Sequence, residues 1–105
     1  MSIEEDIFFA VKTPLDIDVR TTVDYWKYMT TIKHPVMKGK EDILKATLQS
    51  PAEIRQSRTD KEVYLYYKQF DKLYCVVARH LGSEGFLITA YPTVKVKEGN
   101  VIWTK

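Results

Sequence analysis

The chain has 105 residues, 45% of them hydrophobic, with four glycines and four prolines; this fits one domain around a single core and leaves too little interior for two. Its formal charge of +2 is too small to name a partner, yet acids outnumber bases by four through Asp24 and bases outnumber acids by six from Tyr25 onward, which suits an anionic ligand on the later part. The single cysteine, Cys75, excludes an intrachain disulfide, and the acidic start MSIEEDIFF and the lack of any apolar run near the roughly 20 residues of a bilayer span lead us to expect a soluble cytoplasmic protein with no membrane partner.

Two β-rich runs come first, IFFAVK at 7–12 and DIDVR at 16–20, separated by Thr13, Pro14 and Leu15 as in a short hairpin or bent edge. Thr21 or Thr22 then caps a helix whose apolar positions Val23, Trp26, Tyr28, Met29 and Ile32 recur at three- and four-residue steps until Pro35 ends it. A second helix starts near Lys40, with Ile43, Leu44, Thr47 and Leu48 as its apolar stripe. It stops before Pro51, because the residue preceding a proline is pushed out of the α region.

From Pro51 the period changes to that of strands. EIRQSR, VYLYYKQF, LYCVVARHL and GFLITAYPT are separated by turn-formers at Arg58-Thr59-Asp60, Asp71-Lys72 and Gly82-Ser83-Glu84-Gly85. Four consecutive strands with short connections read as an antiparallel meander, and VIW after Gly99-Asn100 adds a short edge strand. The expected class is α+β: an N-terminal β lead-in and two short helices packed on a four-stranded, or slightly larger, antiparallel sheet. Cys75, inside LYCVVA, reads as a buried reduced thiol.

Alternation assigns the faces. Ile54 seeks the helices, which leaves Arg55 and Ser57 on the open face and Arg58 turned away from it. In the next strand the aliphatic Val63 and Leu65 claim the core, with Tyr67 in their register, and Tyr64 and Tyr66 face outward. Phe86, Ile88 and Ala90 form the next apolar set, so Thr89 and Tyr91 fall together on the other side. The open face then carries Arg55, Ser57, Tyr66, Thr89 and Tyr91. A guanidinium that can fork phosphate oxygens stands there with hydroxyl donors and rings that can stack on unpaired bases. The plain alternative is a solvated sheet surface, for which tyrosine, threonine and arginine are equally ordinary.

His34, in KHP after the first helix, adds a group that exchanges protons near neutrality, although a histidine at a helix end is commonly a C-terminal cap. His80, late in its strand, reads as surface. Neither histidine forms a metal-ligand spacing with Cys75, and no phosphate-cradling GxxxxGK[ST], GxGxxG or GxSxG is present, so no metal, no nucleotide cofactor and no dinucleotide fold is expected.

Taken in order, YW, KHP, P..IR.SR.D, VYLYY, Y.VV, GF.ITAYPT and G..IW resemble a phage and bacterial family of small nuclease domains of the barnase, EndoU, colicin and RelE-like (BECR) fold, from about Trp26 to Trp103. The resemblance implies a metal-independent endoribonuclease, plausible as the toxin of a toxin–antitoxin or phage-derived system, with RNA as substrate and an antitoxin protein as partner. It gives His34 the role of general base or acid and Arg55 that of phosphate ligand and stabiliser of the pentacoordinate state. Ser57 and Thr89 would position phosphate oxygens, and Tyr91 with Tyr66 or Tyr67 would stack a base or donate a proton. Arg58 is a second cation, and Lys33 lies beside His34. Two other functions remain open: a non-catalytic RNA- or protein-binding module on the same fold, and an interaction subunit using Trp26, Tyr64 and Trp103 as a protein-binding patch.

Overall fold

The computed structural model describes residues 6–95 and 99–105; the acidic start at Glu4 and Glu5 lies outside them. The chain opens with an antiparallel hairpin of β1 (Ile7–Lys12) and β2 (Asp18–Thr22). Its turn is closed by Thr13 N donating to Ile17 O at 2.9 Å. Thr22 ends β2 and caps α1 (Val23–Tyr28), its hydroxyl accepting from Tyr25 N at 3.1 Å, as the sequence leads one to expect of a threonine before a helical stripe.

The helix does not run as α to Pro35. Residues Met29–Lys33 wind as a wider π turn, in which His34 N donates to Met29 O five residues back at 2.8 Å. Trp26 and Met29 remain buried, but Tyr28 and Ile32, expected among the apolar positions, are 49% and 66% exposed; Tyr28, two residues past Trp26, falls on the far side of an α-helix. The wider turn, which begins at Met29, rotates Ile32 away from the expected stripe. Pro35–Met37 form a single 3₁₀ turn that buries Met37. Then α2 (Glu41–Gln49) buries Leu44, Thr47 and Leu48, with Glu41 and Asp42 in its positive first turn.

β3 (Glu53–Gln56), β4 (Val63–Gln69), β5 (Leu73–Leu81) and β6 (Glu84–Thr93) form the expected antiparallel meander. β7 (Asn100–Thr104) adds to β3 as the edge strand read from VIW. The sheet is larger than a four-stranded meander and is mixed. Its order is β1-β2-β6-β5-β4-β3-β7, with β2 parallel to β6. The hairpin covers the edge that β6 would otherwise present unpaired. Gly85 permits this close approach, because a Cβ there would lie 3.0 Å from Val19 Cγ2 and 3.1 Å from Ile17 Cγ2.

Both faces of the central strands are buried. The face under the helices holds the main core, including Trp26, Met29, Leu44, Leu48, Ile54, Tyr66, Tyr74 and Val76. The opposite face has its own cluster of Leu65, Tyr67, Cys75 and Val77, so Cys75 is buried and in no disulfide, as its run suggests. No helix among the described residues is long and apolar enough to cross a membrane.

Candidate functional site

Ile54 enters the main core, so alternation places Arg55 on the opposite face, as expected. Cross-strand pairs then define two rows on that face. One runs Arg55–Leu65–Val77–Thr89 and the next Glu53–Tyr67–Cys75–Tyr91. Arg55, Tyr67, Thr89 and Tyr91 therefore share one surface. His34 joins it from the segment after the π turn, its ring centroid 5.5 Å from that of Tyr91. Lys33 Nζ reaches Ile88 O at 3.4 Å, and Tyr25 Oη donates to the same carbonyl. Ile88 stands where the β5–β6 register shifts, between the Val77–Thr89 and Ala78–Leu87 pairs. This bulge re-aims the strand's side chains and explains why Ile88 and Tyr91 both pack against the second cluster.

Several expected neighbours are not brought together. Arg55 and Thr89 are separated by β4 and β5, which at the usual strand spacing puts their backbones ~14 Å apart. Arg55 is half-buried and held: Nε donates to Glu53 Oε2 at 2.6 Å and Nη1 to Gly99 O at 3.1 Å. These contacts use two of a guanidinium's five N–H donors. Glu53 lies two residues before Arg55 on the same face, a signal that was available in the spacing. Ser57 closes the β3–β4 turn instead of facing a ligand: its Oγ accepts from Thr59 N and Asp60 N, both at 3.3 Å, and shares a hydrogen bond with Thr59 Oγ1. Arg58 is exposed, with Nε 3.3 Å from Asn100 Oδ1.

The tyrosines reverse the expected assignment. Tyr64 and Tyr66 point to the helix side, and Val63, Leu65 and Tyr67 to the other. Tyr66 is fully buried and Tyr67 is 2% exposed, so neither offers a ring for stacking in this conformation. His80, read as surface, is only 9% exposed. Its Nε2 lies 2.8 Å from Tyr66 Oη, and its ring stacks on Tyr64 at 3.9 Å. The aromatic patch also dissolves: Trp26 is buried, and Tyr64 and Trp103 pack against the main core.

Thr89 Oγ1 is buried with no hydrogen-bond partner among the described residues. Such a group is uncommon and marks a place where an acceptor or donor from outside could be received. The other arginines on the sheet are already engaged by carboxylates: Arg20 by Glu84, and Arg79 by Asp60 and Glu62 at 3.1 and 2.8 Å. Beyond Lys33 and His34, then, the face offers hydrogen-bonding groups more than free positive charge. Along β6 toward its start, a cleft of about 800 Å³ opens between the hairpin and α1, lined by Ile7, Ala10, Arg20, Thr21, Tyr25 and Phe86 among others.

Comparison of the chain with protein-family models, curated protein sequences and solved structures finds no match.

Proposed function

We propose that this chain is a metal-independent endoribonuclease of the barnase, EndoU, colicin and RelE-like kind, acting through His34, Lys33, Thr89 and Tyr91. The contact between the His34 and Tyr91 rings at 5.5 Å carries the reading, because it joins two residues 57 positions apart in sequence on the face that also holds Thr89, whose Oγ1 has no hydrogen-bond partner among the described residues. His34 takes the proton of a ribose 2′-hydroxyl. The 2′-oxygen bonds to phosphorus as the bond to the 5′-oxygen breaks, leaving a 2′,3′-cyclic phosphate. Tyr91 protonates the departing oxygen. Lys33 and the Thr89 hydroxyl stabilise charge on the phosphate. At three strands' distance, Arg55 holds a different phosphate of the same RNA strand, as a binding residue.

A test is incubation of the purified protein with total RNA in excess chelator, with the new ends mapped. Cyclic phosphate ends that disappear in His34→Ala support the reading; intact RNA with wild type removes it. If the enzyme is a toxin, its unrestrained production arrests growth, and an antitoxin protein is its natural partner. A second reading, a non-catalytic RNA-binding module, is favoured by the Glu53–Arg55 ion pair and by the distance of Arg55 from His34. It predicts salt-sensitive RNA binding without product.

A further inference from the structure

The cleft at the start of β6 lies outside the groups just assigned. It has the volume of an ordinary small-molecule site, and its walls are formed by Ile7 and Ala10 of β1, Arg20 and Thr21 of β2, Tyr25 of α1 and Phe86 of β6. The Arg20 guanidinium lies over the Phe86 ring, 4.5 Å from its centroid, and is neutralised by Glu84. Thr21 alternates with Arg20 and pairs with Phe9 of the main core, so its buried hydroxyl belongs to the core side and Arg20, Ala10 and Phe86 form the cleft's own face. Tyr25 links this cleft to the site at His34, because it lines the cleft while its hydroxyl shares the Ile88 carbonyl with Lys33.

We infer that this cleft is a subsite for one unpaired nucleobase of the RNA strand whose backbone passes His34; the inference rests on the proposed ribonuclease reading. The chemistry selects a base over a phosphate. A guanidinium already paired with a carboxylate adds little net positive charge, but its plane and the Phe86 ring present the flat π surfaces on which bases stack. The apolar side chains of Ile7, Ala10 and Phe86 would cover part of a ring laid between them. From Phe86 to Tyr91 the strand advances about 16 Å at ordinary strand rise, so the base received is removed from the cleaved bond, and the subsite sets sequence context and affinity.

The experiment uses His34→Ala protein, so that RNA survives, and measures its affinity for a single-stranded RNA pentanucleotide and for versions made abasic at each position in turn. One abasic position should lower affinity roughly tenfold to a hundredfold, the effect of losing one base–aromatic stack. Phe86→Leu, added to the His34→Ala background, should lower affinity for the intact strand by a similar factor and leave that abasic strand almost unaffected. A far-UV spectrum and melting curve like the parent's show that the variants fold. Unchanged affinity for the intact strand in Phe86→Leu overturns the subsite and leaves the RNA reading standing. Binding of AMP or UMP in the cleft without binding of the pentanucleotide overturns it in favour of a free heteroaromatic ligand. If no oligonucleotide binds the parent protein, the RNA reading itself has failed.

Discussion

Tyr66 Oη lies 2.8 Å from His80 Nε2 inside the main core, joining β4 to β5 by side chains as well as by backbone. Burial pushes the phenol up to about 12 and the imidazole down to about 4, while a hydrogen bond from Thr13 works against the first shift. Both groups are therefore neutral across the ordinary pH range. Each satisfies the other's polar atom, where a lone one would carry a desolvation penalty.

This pair makes stability fall on acidification. Below the ordinary value of 6.5 the unfolded chain binds a proton at His80 that the folded chain refuses until about pH 4. The contribution of neutral His80 is thus complete above pH 6.5 and is lost as pH drops toward 4, by up to roughly 3 kcal/mol. Urea midpoints measured between pH 4 and 8 check this. His80→Phe should be less stable than wild type at pH 7.5 and should show a flatter decline toward pH 4.5. A decline as steep as wild type's would place the titration elsewhere.

Gly99→Ala should destabilise the chain by about 2 kcal/mol or more. Gly99 has φ +85°, and a Cβ there would stand 2.6 Å from Gln56 O and 3.1 Å from Arg55 Cβ. The first neighbour is backbone of β3 and cannot swing aside, so either β7 shifts away from β3 or the chain end moves. Because Gly99 O accepts from Arg55 Nη1, the same substitution should loosen Arg55. Thermal unfolding gives the stability, and the Arg55 side-chain NMR signals show the loosening.

The meander was legible because Ile54 alternates with polar neighbours and because its turns hold Asp60, Asp71 and Gly82. The parallel pairing of β2 with β6 was not, since Val19 and Gly85 are far apart in sequence and no local period records a long-range pair. The facing of VYLYY was ambiguous for a physical reason. Leu65, Tyr66 and Tyr67 are all buried, and a strand buried on both faces reads as a continuous apolar run without alternation. The same ambiguity hides His80, because alternation with Leu65 points its partner Tyr66 outward. His34 and Tyr91 could be proposed as companions from a family pattern. The distance from either to Arg55 depends on the strand order, which the pattern does not contain.

Glu53→Gln and Arg55→Ala should change RNA affinity in opposite directions. Glu53 Oε2 engages Arg55 Nε at 2.6 Å, with both side chains about one quarter exposed, at 25% and 24%. Gln keeps the acceptor and the shape but removes the charge that neutralises the guanidinium, so affinity should rise and the dependence on salt should steepen by about one counterion. Arg55→Ala should weaken binding and lower that slope by the same amount. Folding stability should change by about 1 kcal/mol or less in Glu53→Gln, as for a partly solvated ion pair. Equal weakening in both variants would mean that Arg55 acts only as a brace for β7.

His34→Ala and Tyr91→Phe separate proton transfer from packing. Both side chains are half-buried and touch each other, so Tyr91→Phe retains the ring contact and removes only the hydroxyl. With His34 as base and Tyr91 as acid, His34→Ala should lower RNA cleavage roughly a hundredfold to ten-thousandfold, the usual range for a positioned acid–base group. Tyr91→Phe should lower it by a comparable factor, with a melting curve showing that the variant is folded. A substrate with a better leaving group than a 5′-alkoxide, such as a ribonucleotide 3′-(4-nitrophenyl phosphate), needs no proton at the departing oxygen. It should restore Tyr91→Phe toward wild type without restoring His34→Ala. Equal restoration of both variants, or of neither, would remove the assignment of acid to Tyr91.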